Sequence, residues 1–196
     1  MNTFIYYCAK ILGIFLFKIF FLLEVIGKEN IPVKGGFIIA SNHSSGLDPV
    51  VLGVSIPRPL YYFAKSTLFK KNIFFRFLIT SLGAISVERE EAPFSLREGL
   101  KVLKEKKGIV IFPEGTRSKN GSIGKGKPGI GFLAIKSKCP IIPVFISGTY
   151  KSLPYNKRIM KPQKIKVIIG KPIFFSYGNY DSISYKIIEL IKCLKK

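Results

Sequence analysis

Short apolar runs alternate along the chain with longer segments in which apolar residues recur every three or four positions. Runs of the first kind predict buried strands, and segments of the second kind predict helices. The predicted strands, which share the short apolar pattern, are residues 37–40, 61–64, 84–87, 109–112, 141–146, 165–169 and 173–175. The predicted helices, which share the longer period, are residues 50–55, 66–81, 95–107, 129–138 and 182–194. This alternation predicts a single α/β domain whose mixed, mostly parallel sheet is flanked by helices.

Single residues predict where some of these elements begin and end. The pair Gly35-Gly36 predicts a turn before the first buried strand. Asp48-Pro49 is typical of an N-cap followed by proline at the first helical position, so Asp48 is expected to cap the next helix. Gly108 follows the segment 95–107 and is expected to close that helix.

The N-terminal segment has a pattern of its own. Residues 4–23 are almost wholly apolar and are interrupted only by Lys10 and Lys18. A stretch of about 20 apolar residues can cross a bilayer, but a central lysine costs roughly 2.5–3.5 kcal/mol to insert. The two lysines lie about 80° apart around a helix, so both can face water or snorkel to one surface. We therefore expect residues 1–26 to form a membrane-associated helix in one leaflet, followed by an α/β domain over residues 27–196. A buried core helix is the alternative.

The charge of the chain is strongly positive, with a formal net charge of +21. Between Gly115 and Tyr180 there is no Asp or Glu, while Lys and Arg recur throughout. Such an imbalance indicates an anionic partner: nucleic acid, anionic lipid or a phosphorylated substrate. A general drift in composition towards lysine is the simpler alternative. Because the basic residues accompany a long apolar segment that an RNA-binding protein does not need, the pattern favours an anionic membrane surface.

Several common kinds of site are disfavoured. The chain has three cysteines, no CxxC pair and one histidine, which argues against a disulfide framework and a zinc site. Residues 124–129 match GxGxxG, but they do not directly follow a predicted strand and no acidic residue lies about 20 positions later. Residues 121–127 resemble a P-loop, but Pro128 replaces the required hydroxyl residue. No GxSxG elbow is present.

Three polar motifs follow predicted strands by one to three residues. They contain His43, Arg89 and Glu114. In open α/β sheets ligands bind outside the carboxyl ends of the strands, so the three motifs are expected to converge on one crevice. Each motif alone is an ordinary polar loop, and only together do they predict a site.

His43 and Asp48 form the first of these motifs. Imidazole is the side chain best suited to accept and return a proton near neutral pH. The intervening Ser44-Ser45-Gly46 is typical of a bend, which allows the carboxylate to fold back onto the ring. A carboxylate on one ring nitrogen leaves the other nitrogen to take a hydroxyl proton. The alternatives are that Asp48 only caps the helix and that His43 is a polar loop residue.

Residues 112–118, FPEGTRS, form a second motif after a buried strand. A glycine followed by Thr116 and Arg117 places backbone N–H groups, a hydroxyl and a guanidinium in one turn. Arginine offers a bidentate fork to phosphate, and Gly115 lets a ligand approach the backbone closely. Arg89 is a candidate for a second bidentate contact with the phosphate. The alternative is that both segments are ordinary solvated turns.

Taken together, these motifs resemble those of the glycerolipid acyltransferase family, in particular its 1-acyl-glycerol-3-phosphate acyltransferases. The family's NHxSxxD motif is similar to residues 42–48, and its second motif to residues 83–89. The third, FPEGTRS, is matched residue for residue by residues 112–118. The fourth, a proline within an apolar strand, is similar to the segment around Pro143. The motifs stand in the family's order.

The resemblance implies direct acyl transfer without an acyl-enzyme. His43, oriented by Asp48, removes the proton from the free hydroxyl of lysophosphatidate. The resulting alkoxide attacks the thioester carbonyl of acyl-CoA or an acyl carrier protein. No metal and no cofactor are implied. The implied substrate-binding residues, which hold the glycerol phosphate or shape its pocket, are Asn42, Ser45, Arg89, Glu114, Gly115, Thr116, Arg117, Lys127 and Pro143.

The implied partners are the lipid bilayer, lysophosphatidate and the thioester donor, and not nucleic acid. The implied location is the cytoplasmic face of a bacterial inner membrane, with a monotopic or single-helix anchor. Two alternatives stay open: the same chemistry on glycerol 3-phosphate or another lysophospholipid, and a non-enzymatic basic protein that binds membranes or nucleic acid. The His–Asp pair argues against the second, because such a protein has no use for a base.

Overall fold

The computed structural model describes residues 1–70, 72–87, 92–157 and 159–195, with residues 92–94 described by their backbone alone. Among these residues, seven strands form one sheet: β1 Glu24–Ile26, β2 Phe37–Ser41, β3 Leu60–Lys65, β4 Ala84–Val87, β5 Gly108–Ile111, β6 Ile141–Ser147 and β7 Lys166–Ile169. Their order is β1-β7-β6-β2-β5-β3-β4. Strands β6, β2, β5, β3 and β4 run parallel, whereas β7 is antiparallel to β6 and parallel to β1. The predicted α/β class with a mixed, mostly parallel sheet is confirmed.

The helices cover both faces of the sheet. They are α1 Thr3–Phe21, α2 Asp48–Ser55, α3 Ser66–Phe69, α4 Ile73–Ser81, α5 Ala92–Lys104, α6 Gly129–Ser137, α7 Thr149–Ser152 and α8 Tyr180–Cys193. Helices α1 and α2 pack on one face, and α5, α6 and α8 pack on the other. Helix α4 contacts α1 and β4.

The central strand β2 shows why its sequence is a continuous apolar run. It lies between β6 and β5 and is covered on both faces, so every residue is buried. Phe37 and Ile39 face the α1–α2 side, and Ile38 and Ala40 face the other. Neither face of this strand meets water, so alternation of polar and apolar residues is not needed.

The helix predicted over residues 66–81 is two helices. Asn72 is the reason, because its side-chain oxygen accepts a hydrogen bond from Phe75 N at 2.7 Å and so caps the start of α4. The first part of the segment is the single turn of α3. The apolar periodicity continues across Asn72, so the sequence pattern alone did not show that a second helix begins there.

Two further predictions were wrong. Gly108 does not close a helix: α5 ends at Lys104, Lys106 adopts the left-handed conformation with φ 60°, and Gly108 opens β5. A Cβ at Gly108 would lie 2.3 Å from Phe37 Cζ, so the glycine is required for packing. Residues 173–175 form only one bridge, between Ile173 and Ile141, because β7 already occupies the rest of that edge of β6.

Helix α1 lies along the domain instead of projecting from it. Tyr6 Oη accepts a hydrogen bond from Leu60 N at 3.3 Å. A Cβ at Gly13 would lie 2.6 Å from Val54 Cγ1, so the missing side chain lets α1 approach α2 closely. Phe17, one turn further along, is buried in the core. One face of the helix is therefore fixed to the domain over most of its length.

The two lysines of α1 have different surroundings. Lys10 Nζ donates hydrogen bonds to the carbonyls of Ile56 and Pro57, directly after the C-terminal end of α2. A cation at this end of a helix is favoured by the partial negative charge of the last carbonyls. Lys10 is therefore half-buried against the end of α2, whereas Lys18 is exposed.

Candidate active site

The site lies at the carboxyl edge of the sheet, where four parallel strands end side by side. The loop after β2 carries His43, the loop after β5 carries residues 112–118, β3 ends at Lys65 and β4 ends at Val87. A cavity of about 550 Å³ opens between these segments. Its polar lining includes His43, Lys65, Ser95, Gly115, Thr116, Arg117, Lys127 and Tyr155. We refer to this cavity as the cleft.

His43 and Asp48 form a direct pair at the base of the cleft. His43 Nδ1 lies 2.9 Å from Asp48 Oδ2, and the carboxylate is fully buried while the ring is 17% exposed. The same oxygen accepts hydrogen bonds from Ser44 N at 2.7 Å and Ser45 N at 2.8 Å. A carboxylate that accepts three such bonds is held in one orientation. The ring is thereby fixed with Nε2 as the nitrogen that Asp48 does not engage.

The predicted helix-capping role of Asp48 was wrong. Asp48 is itself the first residue of α2, and the cap position is occupied by Leu47, which makes no side-chain cap bond. The carboxylate turns back into the loop because the backbone N–H groups of Ser44 and Ser45 point at it. Pro49 is accordingly the second helical residue.

Phe112 supports the imidazole from one side. Its ring stacks on the His43 ring with centroids 3.9 Å apart and an angle of 16° between the planes. The loop backbone is fixed as well, since Ser118 N donates to His43 O at 2.8 Å. The FPEGTRS segment therefore positions the base in addition to lining the cleft.

Glu114 connects three segments at the back of this arrangement. Its Oε1 accepts a hydrogen bond from His43 N at 2.8 Å, and its Oε2 accepts one from Gly124 N at 2.8 Å. The residue is buried. Both oxygens thus face backbone amides of the protein, and the geometry gives Glu114 the role of holding the His43 loop against the loop around residue 124.

Three cationic side chains among the described residues line the cleft. The Arg117 guanidinium lies over the Tyr155 ring, with 4.9 Å from Cζ to the centroid. Gly115 has φ +70°, and a Cβ there would lie 2.9 Å from Lys127 Cδ, so the glycine leaves room for the lysine to lie across the turn. Lys65 adds a third cation at the end of β3. Together these groups form an environment suited to a phosphate.

Three predicted substrate-binding residues stabilise the framework. Asn42 is buried, its amide donating to Ile146 O at 3.0 Å and accepting from Ile146 N at 2.8 Å. Ser45 Oγ donates to Leu153 O at 2.8 Å. Pro143 lies within β6, and its carbonyl accepts from Gly170 N at 2.8 Å. Arg89 lies outside the described residues.

Much of the remaining lining of the cleft is apolar and includes Phe63, Val87, Leu96, Ile130 and Leu133. The cleft thus combines cationic and apolar side chains with the imidazole of His43. Sequence reasoning missed Lys65 and Tyr155 as lining residues. Lys65 directly follows the strand predicted over residues 61–64, so the argument applied to His43 could have found it, whereas Tyr155 lies in a loop with no distinguishing pattern.

The comparisons with known proteins agree with this geometry. A family model described as acyltransferase matches residues 22–147 of the chain. The chain belongs to the acyltransferase family. The matched range includes all the motifs quoted above, and membership confirms the resemblance drawn from them. The roles of the individual residues stay predictions.

Two curated relatives of this acyltransferase carry the same name. A 1-acyl-sn-glycerol-3-phosphate acyltransferase of Bacillus subtilis is 36% identical over 153 residues, covering 77% of this chain and 73% of that protein. A protein of the same name from Borreliella burgdorferi is 34% identical over 128 residues, covering 64% of this chain and 51% of that protein.

A solved structure has the same fold. The crystal structure of the 1-acyl-sn-glycerophosphate acyltransferase from Thermotoga maritima superposes with a TM-score of 0.81 at 26% sequence identity. The superposition covers 96% of this chain and 77% of that chain. The acyltransferase described here thus shares the core architecture of that enzyme over nearly its whole length.

Proposed function

We propose that this acyltransferase moves a fatty acyl group from a thioester donor to the free hydroxyl of 1-acyl-glycerol 3-phosphate, giving phosphatidate. The observation that carries the proposal is the His43–Asp48 pair at 2.9 Å, whose imidazole lines one cleft together with cationic and apolar side chains. Such a cleft suits an acceptor with a phosphate at one end and an acyl chain at the other. The names of the curated relatives support the same reaction.

The proposed chemistry follows from the orientation of the imidazole. Asp48 holds Nδ1, and Nε2 accepts the proton of the acceptor hydroxyl as its oxygen attacks the thioester carbonyl. The C–O bond forms, the C–S bond breaks, and the imidazolium returns its proton to the departing thiolate. Asp48 stabilises the imidazolium in between, because the pair then carries opposite charges. The donor is acyl-CoA or an acyl carrier protein.

Arg117 is proposed to bind the phosphate of the acceptor. Arg117→Ala is expected to raise the KM for lysophosphatidate about 10- to 100-fold, the effect of losing charge-assisted hydrogen bonds of roughly 1.5–3 kcal/mol. Lys125→Ala is a matched control, since it removes one exposed positive charge from the neighbouring loop and Lys125 does not line the cleft. Steady-state kinetics with varied lysophosphatidate separate the two variants. Equal KM values for wild type and Arg117→Ala would exclude this role.

Membrane association is proposed to be monotopic, on the cytoplasmic face, with α1 in one leaflet. Helix α1 is long and apolar enough to cross a membrane by length and composition. One face of it, however, is fixed to the polar domain through Tyr6, Lys10 and Gly13. A helix so attached along its length lies in the interface with its other face in the acyl region. That face carries the exposed side chains of Phe4, Ile11, Leu12, Phe15, Ile19 and Phe20.

A pair of charges on the outer face of α1 tests this arrangement. Ile11→Glu/Phe15→Glu is expected to lower vesicle affinity about 10²-fold or more, because two carboxylates cannot enter the acyl region. The matched control is Phe174→Glu/Tyr177→Glu, which adds the same charge at residues that are 68% and 87% exposed. Vesicle flotation at several lipid concentrations gives the affinities. Equal loss in both variants would show that net charge, not the α1 face, governs binding.

The reaction itself is tested with purified protein on vesicles. Acyl-CoA and acyl carrier protein are each offered with lysophosphatidate, glycerol 3-phosphate and other lysophospholipids. We expect phosphatidate as the main product. Faster acylation of another acceptor would reassign the substrate, and no transfer to any acceptor would overturn the proposed reaction.

A further inference from the structure

Helix α4 presents an exposed apolar surface that does not line the cleft. Ile73 and Phe74 are 77% and 82% exposed, and Phe77 and Leu78 are also exposed. Residues spaced by three and four positions share one side of a helix, so these four side chains form one stripe. Two large apolar residues at such exposure on one short helix indicate a surface that meets an apolar partner.

The charge around the stripe identifies the chemistry of that partner. No Asp or Glu occurs from Pro49 to Val87 or from Met1 to Leu23. Among the described residues, Lys65, Lys70 and Arg76 are exposed cations on or next to the α3–α4 segment. An apolar stripe bordered by cations and free of acidic residues complements a bilayer that contains anionic phospholipid.

The stripe is also adjacent to the surface proposed for the membrane. Helix α4 contacts α1, whose outer face carries its own row of exposed apolar side chains. The chain enters the α3–α4 segment directly after Lys65 and leaves it through β4, which ends at Val87. Both Lys65 and Val87 line the cleft. The segment therefore starts at the rim of the active site, and β4 then returns the chain to the rim at Val87.

We propose that α4 is a second membrane-inserting element, which enters the same anionic leaflet as α1 through Ile73, Phe74, Phe77 and Leu78. With two elements in the leaflet, the domain cannot rotate about α1, and the rim at Lys65 and Val87 faces the bilayer from which lysophosphatidate comes. The inference rests on the proposed membrane association of α1 and is independent of the acyl-transfer reaction.

The absence of tryptophan from the sequence allows a direct test. Three single-tryptophan variants are prepared: Phe74→Trp on α4, Phe15→Trp on α1 and Phe174→Trp as the control. Phe174 is 68% exposed and lies between Ile173 and Phe175, which pack on the opposite face of the sheet. Each variant is bound to phosphatidylcholine–phosphatidylglycerol vesicles whose acyl chains carry bromine, and fluorescence quenching is compared with that on unbrominated vesicles.

The inference expects quenching of Trp at positions 15 and 74 and none at position 174. Quenching at 15 but not at 74 would overturn the α4 proposal and leave the α1 anchor intact. Absence of quenching at both would overturn both, and quenching at all three would show that binding is not confined to this side of the protein. If α4 instead meets a second copy of the chain, chemical cross-linking without lipid captures a dimer and position 74 is not quenched.

A second pair of variants measures the contribution to binding. Phe74→Asn/Phe77→Asn is expected to lower the vesicle partition coefficient about tenfold or more, since two phenyl rings no longer leave water. Phe174→Asn is expected to leave it unchanged. Circular dichroism checks that the substitutions on exposed positions leave the fold intact. Equal partitioning of the α4 variant and wild type would contradict the proposal.

Discussion

His43→Ala lowers the rate of acyl transfer by a factor of about 10²–10⁴ or more, the usual contribution of a positioned base. The acceptor hydroxyl then has no group to take its proton as it attacks the thioester. The assay follows release of the thiol from acyl-CoA at saturating lysophosphatidate. Vesicle flotation is expected to be unchanged, because the imidazole lies at the carboxyl edge of the sheet and not on the α1 face.

The fold is expected to persist in His43→Ala, since the lost ring is partly exposed and its main packing partner is Phe112. Thermal unfolding checks this and separates a chemical defect from a structural one. Added imidazole gives a further readout, because a small base diffusing into the vacated space restores part of the rate. Wild-type activity in His43→Ala would remove the base from the mechanism altogether.

Asp48→Asn isolates the charge of the carboxylate from its geometry. The amide oxygen can take the place of Oδ2 and accept the same three hydrogen bonds, with the amide nitrogen at the Oδ1 position. Among the described residues, Oδ1 has no hydrogen-bond partner, so the exchange creates no conflict between donors. We expect kcat to fall about 10²-fold or more, because a neutral amide no longer stabilises the imidazolium.

Asp48→Ala adds a structural defect to the chemical one. The backbone N–H groups of Ser44 and Ser45 lose their acceptor in a buried site, which is expected to lower the free energy of unfolding by about 2–4 kcal/mol. Urea denaturation measures this loss and should find Asp48→Asn much closer to wild type. Equal activity of Asp48→Asn and wild type would mean that the carboxylate only holds the ring in place.

The sequence predicted the parts of the site that depend on short separations along the chain. His43 and Asp48 are five positions apart across a bend, and the contact between them forms as expected. The convergence of the loops after β2 and β5 followed from the rule that parallel strands end at one edge. These predictions needed only residue types, local turns and the order of strands.

Contacts between segments that are distant along the chain could not be predicted from the sequence. Glu114 was expected to meet substrate, but its oxygens accept from His43 N and Gly124 N, 71 and 10 positions away. A sequence motif shows that a carboxylate is present, but it does not show which backbone amides donate hydrogen bonds to it. The predicted helix ends at Asp48 and Gly108 were wrong for a related reason. The Asp48 carboxylate accepts from Ser44 N in the preceding loop and not from the helix that follows it. Gly108 is required because the Phe37 ring of a neighbouring strand leaves no room for a side chain there.

The short helix α2 has a consequence for where the reaction takes place. Its first residue is Asp48, and directly after its last turn the carbonyls of Ile56 and Pro57 are held by Lys10 of α1. Eight residues of α-helix measure about 12 Å, a small distance beside a bilayer about 40–45 Å thick. With α1 in one leaflet as proposed above, α2 keeps the His43–Asp48 pair within about one such helix length of the proposed membrane anchor. A lysophospholipid hydroxyl can then reach the base while its acyl chain stays in the hydrocarbon region.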